Sequence, residues 1–408
     1  MEILLVSQYF YPENFKSNDV AFELAKRGHQ VTVLTGIPNY PQGKFYEGYG
    51  LFKRRKEIIN GVTVYRTFVI PRGNGGGVRL AFNYLSWAFI ASLWAVFMAL
   101  FKHYDAVFVH ETSPVTQGIP ALMVKWIRRS PLYFWVLDLW PESLQAAGGI
   151  NNRRVLGFFA WLTRLIYRNS DKILISSKGF RKSILDKGDF GDKIVYFPNW
   201  AEDTFAEVGV SAIDRDKIKS LIPTGFRVMF AGNIGEAQDF DHVMQAALLL
   251  KEEKEIKFVI IGEGRKRQWV LDFIQANGLQ ETVCCPGRFP LEMMPAFYRE
   301  ADVLFLSLKD EPIFSLIVPA KVQTYMTAGK PIVAMINGET QDVIAEVNCG
   351  FSANASDYKT FAKHVMQLKR MTPEERHAMG EAALAYYEIT YQKTVCMEHL
   401  FEIIEKRS

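Results

Sequence analysis

Short apolar segments alternate with helical patterns along almost the whole chain, and this alternation limits the fold more than any other feature. In the first 200 residues strands are predicted at Ile3–Ser7, Gln30–Thr35, Thr63–Thr67, Ala106–His110, Leu132–Leu137, Lys172–Ile175 and Ile194–Phe197. The series then restarts, with strands predicted at Arg227–Ala231, Lys257–Ile261, Val283–Pro286, Val303–Leu306 and Ile332–Met335. Repeated strand–helix units form parallel sheets covered by helices. The sequence therefore predicts an α/β chain of two doubly wound domains.

The length of 408 residues supports two domains of ordinary size. The segment Phe197–Asp203 is predicted to be the linker between a first domain of residues 1–200 and a second of residues 201–385. A last helix, about residues 386–408, is predicted to be able to pack back on the first domain. Because ligands bind outside the carboxyl ends of strands in such sheets, two domains that face each other predict one central cleft.

Cysteine usage and the first residues indicate the compartment. Cys284, Cys285, Cys349 and Cys396 show no CxxC spacing, which argues against a structural zinc site and against a disulfide framework. The segment Met1–Ser7 is typical of a buried strand and not of a signal peptide. A reducing cytosol is therefore the predicted environment.

The formal net charge of +4 conceals an asymmetry between the two halves. Residues 1–200 hold 25 Lys and Arg against 14 Asp and Glu, a net of +11, while the remainder holds 23 against 30, a net of −7. This predicts an anionic surface beside the first domain, either a membrane or a nucleic acid. No nucleic-acid recognition motif accompanies the basic half, so an anionic membrane surface is the predicted partner and nucleic acid is not.

Two segments of the first half have the composition of membrane-contacting helices. The first, Leu80–Phe101, holds 22 residues without a charge, a length that could span a bilayer. Because the strand Ala106–His110 follows at once and must return to the same sheet, a helix that dips into the membrane interface is predicted instead. The second segment, Arg153–Arg168, mixes aromatic residues with arginines. Packing of both segments in the core is the alternative.

A predicted anion site lies in the stretch Val318–Ala334, where a turn opened by Pro319 leads into a helix carrying Lys321. Backbone N–H groups at a helix start, together with an ammonium, can hold a diphosphate. The glycine-bearing turns Gly232–Gly235 and Gly262–Gly264 follow two predicted strands and would form neighbouring walls of the same site. An ordinary loop with a solvated lysine is the alternative.

Five motifs resemble a known family, in order and with matching spacing: Gly28–Thr35, Pro38–Gly43 with Gly48 and Tyr49, Asp138–Ser143, Gly232–Gly235 and Pro319–Lys321. Over essentially the whole chain the sequence resembles the retaining family 4 glycosyltransferases of the GT-B fold. Within that family it looks like the bacterial L-fucosamine transferases of surface polysaccharide assembly. The resemblance implies that the second domain binds the sugar donor and the first domain binds the acceptor.

The resemblance assigns donor binding residue by residue, with departures. The family's two donor-site cations correspond to Asn233 and Gln238, and its two glutamates to Leu316 and Thr324, so Lys321 is the expected replacement for the phosphate charge. Asp310 or Glu311 could supply the missing carboxylate. The predicted donor-binding residues are Gly232, Asn233, Gly235, Gln238, Gly262, Glu263, Arg288, Phe289, Pro319, Ala320, Lys321, Gln323 and Thr324.

The resemblance also implies the catalytic and acceptor residues. The family's histidine after the fifth strand is absent from Val136–Glu142, so Asp138 or Glu142 is predicted to act as base or to orient the acceptor hydroxyl, together with Lys321 as the catalytic cation. A purely structural role for Asp138 at its turn is the alternative. The predicted acceptor-binding residues are Lys16, Ser17, Tyr40, His110 and Glu111. The Asp239–Asp241 pair matches a metal-binding DxD pattern but is better explained by helix capping, so no metal is predicted.

These inferences together predict a retaining, metal-independent glycosyltransferase that moves an N-acetylated 6-deoxyhexosamine, L-FucNAc, from a UDP-sugar to an undecaprenyl-diphosphate-linked sugar in O-antigen or capsule assembly. The UDP-sugar is a substrate, and no cofactor is predicted. The enzyme is expected in the cytoplasm, attached peripherally to the inner face of the cytoplasmic membrane. Two alternatives stay open: a nucleotide-sugar 2-epimerase of GT-B-like fold and a non-catalytic nucleotide-sugar-binding protein.

Overall fold

The computed structural model describes residues 1–201 and 212–405. Two residues of the predicted linker, Glu202 and Asp203, and the last three residues of the chain lie outside the described residues. The chain divides into two compact units: unit 1 comprises Met1–Phe197 and Met397–Ser408, and unit 2 comprises Pro198–Cys396. The division falls three residues before the predicted boundary, and of the predicted terminal helix only the part from Met397 belongs to unit 1.

Unit 1 is built on a sheet of eight strands with the order β3-β4-β2-β1-β5-β6-β7-β8. All neighbours are parallel except β3 and β4, which pair antiparallel. The strands are β1 Glu2–Val6, β2 Gln30–Gly36, β3 Lys56–Ile59, β4 Val62–Thr67, β5 Ala106–Glu111, β6 Leu132–Val136, β7 Lys172–Ile175 and β8 Ile194–Tyr196. The helices are α1 Lys16–Lys26, α2 Gly77–Phe101, α3 Gly118–Arg128, α4 Glu142–Gly148, α5 Arg153–Asn169 and α6 Phe180–Leu185.

Unit 2 is built on a parallel sheet of six strands with the order β11-β10-β9-β12-β13-β14. The strands are β9 Phe226–Ala231, β10 Ile256–Ile261, β11 Val283–Gly287, β12 Val303–Ser307, β13 Ile332–Met335 and β14 Gly350–Ala353. The helices are α7 Ala212–Leu221, α8 Phe240–Leu249, α9 Arg267–Asn277, α10 Met294–Arg299, α11 Ala320–Met326, α12 Glu339–Val347, α13 Tyr358–Arg370 and α14 Pro373–Thr390. A last helix, α15 Lys393–Glu405, begins in unit 2 and belongs to unit 1 from Met397 onward. The predicted α/β fold of two doubly wound, Rossmann-like domains is confirmed.

Side chains of the central strands alternate between two cores, which is what a sheet covered on both faces requires. In unit 2, Val228 and Phe230 of β9 pack in one core, whereas Met229 and Ala231 pack in the other. Strands β10, β12 and β13 repeat this alternation. The long apolar runs in the sequence follow directly from burial on both faces.

Strand order reverses between β1 and β5 in unit 1 and between β9 and β12 in unit 2. At such a point the two connecting chains leave the sheet toward opposite faces, and a crevice opens outside the carboxyl ends of the strands. The segment that follows β1 and the His110–Glu111 end of β5 therefore lie together in unit 1. In unit 2 the same position is taken by the loop that begins at Gly232.

Helix α2 lies along unit 1 and stays attached to it at both ends. By length and composition it is apolar enough to cross a membrane, but a third of its most apolar window is buried within the unit. Asn83 Nδ2 donates to the carbonyl of Ile70 at 2.6 Å, and Trp87 is fully buried. At the other end the Arg128 guanidinium donates to the carbonyls of Ala99 and Leu100. The apolar run at 80–101 is thus a helix that its own domain covers in part.

Candidate functional site

A pocket of about 540 Å³ opens in unit 2 beyond the carboxyl ends of β9 and β10. Nine of the predicted donor-binding residues line it: Gly232, Asn233, Gly262, Glu263, Arg288, Phe289, Ala320, Lys321 and Thr324. Ala231, Ile261, Leu291, Met294 and Tyr298 complete the lining. The pocket combines an apolar floor with two cations, Lys321 and Arg288, and one carboxylate, Glu263.

Lys321 is the cation that this pocket holds most closely. It lies in the first turn of α11, with its ammonium nitrogen 4.5 Å from the centre of the Phe230 ring. Burial lowers the pKa of Lys321 to about 8. Among residues 1–201 and 212–405 its ammonium has no hydrogen-bond or ion-pair partner. A partly desolvated ammonium without a counterion is prepared to receive an anion.

Two glycines let the loops after β9 and β10 approach each other backbone to backbone and let the Lys321 side chain lie against them. The N–H of Gly232 donates to the carbonyl of Ile261 at 2.9 Å, and a Cβ on Gly262 would lie 1.8 Å from the carbonyl oxygen of Gly232. A Cβ on Gly232 would lie 2.6 Å from Cε of Lys321. Both glycines have φ of +143°, which side chains rarely adopt. Glycine is therefore required for the shape of this wall.

Four other predicted donor-binding residues do not line the pocket: Gly235, Gln238, Pro319 and Gln323. The side-chain amides of the two glutamines bond to nearby backbone groups instead. Gln238 Oε1 accepts from the N–H of Gly235 at 3.1 Å. Gln323 is buried, and its amide nitrogen donates to the carbonyls of Pro319 and Ala320 at 2.9 and 3.1 Å. The expectation that these two glutamines contact the donor is corrected, because each one braces a loop that carries the pocket.

The carboxylate proposed from the neighbouring loop is also corrected. Neither Asp310 nor Glu311 lines the pocket, and Asp310 Oδ1 accepts from Asn337 Nδ2 at 2.8 Å. Thr324 does line it, but its hydroxyl donates to the carbonyl of Ala320 at 3.0 Å. Glu263 is exposed in the pocket and 3.4 Å from Arg267 Nε, so it is the acid available there.

The Asp239–Asp241 pair is engaged in other contacts. Asp239 is buried, and its carboxylate contacts His242 Nδ1 at 2.8 Å and accepts from Ser356 Oγ at 3.0 Å. Although Asp239 occupies the N-cap of α8, its side chain makes no capping hydrogen bond, which corrects the predicted capping role. Asp241 pairs with Lys266 at 3.0 Å. Within the described part of the chain no group of three His, Cys, Asp or Glu residues could hold a metal ion.

In unit 1, the buried carboxyl group of Glu111 and the partly buried carboxyl group of Asp138 lie where β5 and β6 end. Glu111 Oε2 accepts from the backbone N–H of Asp138 at 3.4 Å, and Asp138 Oδ1 accepts from Ser143 Oγ at 2.9 Å. Burial, followed by the nearby charge of Asp138, raises the pKa of Glu111 well above its usual value. Burial also raises the pKa of Asp138. Protonation of Glu111 therefore relieves both its burial as a charge and its repulsion by Asp138.

His110, which precedes Glu111 in β5, is a neutral imidazole. It is buried, with Nδ1 3.4 Å from Ser7 Oγ, while Nε2 has no hydrogen-bond partner among the residues the structure describes. Burial, with a smaller effect of Lys16, lowers the pKa of His110 to about 3. The ring is therefore uncharged at any physiological pH.

Glu142 and Ser17 are placed differently from the prediction. Glu142 Oε1 accepts from Lys187 Nζ at 2.5 Å and from Ser183 Oγ at 2.7 Å. Burial alone would raise the pKa of Glu142, but Lys187 outweighs it and the pKa is lowered. This ion pair makes Glu142 a poor base, and Asp138 is the better candidate. Ser17 is fully buried and donates to the carbonyl of Tyr9 at 3.0 Å, so it does not reach an acceptor.

Tyr40, one of the predicted acceptor-binding residues, has an exposed side chain. Its backbone is held by Glu13, a residue that the sequence did not single out. Glu13 is buried, and its Oε1 accepts from the backbone N–H groups of Asn39 and Tyr40 at 2.7 and 2.6 Å. Burial raises the pKa of Glu13 to about 7. Lys16 pairs loosely with Asp19 at 3.9 Å. No signal in the sequence marked Glu13, because its role depends on burial and on bonds to backbone N–H groups.

Comparison with known proteins agrees with this arrangement. Residues 17–200 match the family model described as a glycosyl transferase 4-like domain, and residues 213–385 match glycosyl transferases group 1. The chain is 26% identical to a Pseudomonas aeruginosa protein named "Probable glycosyltransferase WbjE", over 81% of this chain and 82% of that protein. It is 24% identical, over 75% of each chain, to WcaI of Escherichia coli K12, whose name assigns it to colanic acid biosynthesis as a glycosyl transferase.

Solved structures show the same fold at low identity. A crystal structure of Anabaena HepE in complex with UDP and glucose superposes with a TM-score of 0.69 at 12% identity and covers all of both chains. Sucrose-phosphate synthase from Thermosynechococcus elongatus gives a TM-score of 0.74 at 12% identity, over 99% of this chain and 98% of that one. The chain thus belongs to the group 1, family 4-like glycosyltransferases of the GT-B fold. It is a glycosyltransferase, and neither the epimerase nor the non-catalytic alternative is favoured.

Proposed function

We propose that this enzyme transfers L-FucNAc, an N-acetylated 6-deoxyhexosamine, from a UDP-sugar to an undecaprenyl-diphosphate-linked sugar, with retention at the anomeric carbon. The observation that carries the proposal is the unpaired ammonium of Lys321 inside the unit 2 pocket. The UDP bound to HepE and the colanic acid role in the name of WcaI support a UDP donor and a role in surface polysaccharide assembly, as O-antigen or capsule.

On the donor side, negative charge grows on the diphosphate as its bond to the sugar breaks. The Lys321 ammonium is the group that stabilises this charge, and Arg288 supplies a second cation to the same pocket. These two cations replace the pair that the family carries where this chain has Asn233 and Gln238. Glu263 is the carboxylate that can accept from the ribose hydroxyls.

On the acceptor side, Asp138 accepts a hydrogen bond from the attacking hydroxyl and orients it. In a retaining reaction without a protein nucleophile, the bond from the anomeric carbon to the diphosphate oxygen breaks while the bond to the acceptor oxygen forms on the same face. The hydroxyl proton then passes to the leaving diphosphate. Hydrogen bonds with Ser143, at 2.9 Å from Oδ1, and with Ser113 hold the Asp138 carboxylate in place for this role.

Incubation of the purified protein with candidate UDP-sugars and an undecaprenyl-diphosphate-linked acceptor tests the proposal, with products followed by mass spectrometry. We expect Lys321→Met to lower kcat by about 10²–10³, the usual effect of removing one charge-stabilising donor. Lys254→Met, at a lysine whose side chain is 71% exposed in the same unit, is the matched control and should keep full activity. Full activity of Lys321→Met would refute the proposed donor site.

Peripheral membrane attachment is part of the proposal and rests on an exposed apolar face of unit 1. Eight large apolar residues at helical spacing are more than half exposed along α2: Val78, Phe82, Leu85, Phe89, Leu93, Phe97, Leu100 and Phe101. Helix α2 packs on α3 and α3 packs on α5, where Phe158 and Trp161 are also exposed. Exposed arginines on α5, among them Arg154 and Arg168, suit anionic headgroups.

Co-sedimentation with anionic vesicles tests the attachment. The double variant Phe89→Asp with Phe97→Asp places two charges on the exposed face of α2, and we expect vesicle binding to fall at least about tenfold. Ile389→Asp is the matched control, because Ile389 is 71% exposed in unit 2. Equal binding by the double variant and wild type would refute membrane contact through α2.

A further inference from the structure

Arg72, in the segment after β4, has a side chain surrounded by three tyrosine rings. Its guanidinium carbon lies 4.9 Å from the centre of the Tyr40 ring and 5.9 Å from the centres of Tyr9 and Tyr84. Nη1 donates to the Tyr9 hydroxyl at 3.0 Å. Aromatic faces attract a cation and hold it in place without neutralising its charge.

The remaining donors of this guanidinium are available. Arginine has five N–H donors, and within residues 1–201 and 212–405 the Arg72 side chain bonds only Tyr9 and forms no ion pair. Arg66 in the same unit is the contrast, since it is buried, pairs with Glu57 and donates to the carbonyl of Tyr11. A fixed guanidinium with free donors is suited to bidentate binding of phosphate oxygens.

The tyrosine cage is fixed by the surrounding loops before any ligand arrives. The backbone N–H of Arg72 donates to Asn39 Oδ1 at 3.2 Å, and the N–H of Gly73 donates to the carbonyl of Gly43 at 2.8 Å. A Cβ on Gly43 would lie 1.9 Å from the carbonyl oxygen of Gly73, so only glycine permits this contact. The two loops therefore hold Arg72 and Tyr40 in one arrangement.

The third ring of the cage connects the guanidinium to the apolar face of α2. Tyr84 belongs to the second turn of α2, between the exposed residues Phe82 and Leu85. One short stretch of helix thus supplies a wall of the cation site and the start of an exposed apolar stripe. A ligand with an anionic head and a long apolar tail has both features, whereas a soluble sugar phosphate has only the first.

We propose that Arg72, caged by Tyr9, Tyr40 and Tyr84, binds the diphosphate of a polyprenyl-linked acceptor whose lipid chain lies in the membrane that α2 contacts. This inference rests on the proposed function for the lipid-linked nature of the acceptor, but it requires nothing of the donor. It assigns to Arg72 a binding role that the donor-site residues do not share.

Ligand binding without a donor tests the inference. Full-length protein is titrated with farnesyl diphosphate in phosphatidylcholine vesicles, with the same vesicles lacking it, and with inorganic pyrophosphate in solution. We expect wild type to bind farnesyl diphosphate at least about tenfold more tightly than pyrophosphate, and Arg72→Ala to weaken both by about tenfold or more. Lys26→Ala removes the same charge from a lysine whose side chain is 80% exposed on α1, and it should change neither.

Two results would overturn the inference: farnesyl diphosphate binding that is unchanged in Arg72→Ala, or equal affinity of wild type for both probes. If circular dichroism shows that Arg72→Ala does not fold, Arg72→Gln and Arg72→Lys replace it. We then expect Arg72→Gln to show the same loss of affinity for both probes and Arg72→Lys to show a partial loss. UDP affinity, measured in parallel, should be equal in wild type and Arg72→Ala. Absence of UDP binding in wild type would refute only the proposed UDP donor. The role of Arg72 would still be decided by the titrations with farnesyl diphosphate and pyrophosphate, which contain no donor.

Discussion

Raising the pH from 7 to 9 should weaken UDP binding about tenfold, and Lys321→Met should abolish this dependence. Burial lowers the pKa of Lys321 to about 8, from an ordinary value of 10.5. The free ammonium is therefore about 90% charged at pH 7 and about 10% charged at pH 9. Because terminal phosphates titrate near pH 6, the diphosphate of UDP keeps an almost constant charge over this range. Calorimetric titration with UDP at pH 7, 8 and 9 measures the effect.

Unfolding does not account for the expected loss of affinity at high pH. The folded pKa of Lys321 lies below its unfolded value, so between pH 8 and 10.5 the unfolded chain binds more protons and this group adds stability as the pH rises. Lys254→Met serves as the control and should keep the wild-type slope. A wild-type affinity that is constant from pH 7 to 9, or an equal slope in Lys321→Met, would refute the role of this ammonium.

Three further predictions concern residues around the two sites. Because the pKa of Glu13 rises from 4.5 to about 7 on folding, the free energy of unfolding should fall by roughly 3 kcal/mol as the pH rises from about 4.5 to about 7. Glu13→Gln should remove this fall in urea titrations at pH 5 and 7.5, and an unchanged fall would contradict the assignment. Gly232→Ala should weaken UDP binding in calorimetry, because the new Cβ would lie 2.8 Å from Lys321 Nζ and displace the ammonium. Unchanged affinity for UDP would argue against this contact. Asp138→Asn keeps an oxygen for Ser143 but loses the carboxylate that orients the attacking hydroxyl, so kcat should fall about 10² with an unchanged KM for the donor. A rise in KM alone would point to binding instead.

The alternation of short apolar runs with helical patterns predicted the fold, because most strands are buried on both faces and so appear as continuous apolar runs. The two strands missed, β3 and β14, lie at the edges of their sheets. β3 carries Lys56 and Glu57 and exposes alternate residues, which keeps an edge from pairing with other chains but removes the apolar signal. β14 begins at Gly350 and holds small residues, a composition more typical of a turn.

The sequence predicted the site residues whose positions follow from the order of strands, loops and helices. It did not predict the residues whose role depends on whether the side chain is buried. Glycine turns after strands and Lys321 at a helix start converge because parallel strands end at one edge of the sheet. Ser17 and Gln323 have polar side chains suited to ligands, but both are buried and bond to backbone carbonyls. Sequence shows the residue type and not its burial. The cage around Arg72 combines four segments, at positions 9, 40, 72 and 84, and no local pattern connects them.

The two cations assigned to ligands share one physical environment. Lys321 lies over the ring of Phe230, and Arg72 lies among Tyr9, Tyr40 and Tyr84. A carboxylate partner would also hold a cation in place, but it would compete with phosphate for the positive charge. Arg66 is an example, because its guanidinium already pairs with Glu57. An aromatic face fixes the cation and leaves its charge and donors for the ligand. Each unit therefore contains a cation that its own fold positions but does not neutralise, which is the requirement for a site that binds a diphosphate and then releases it.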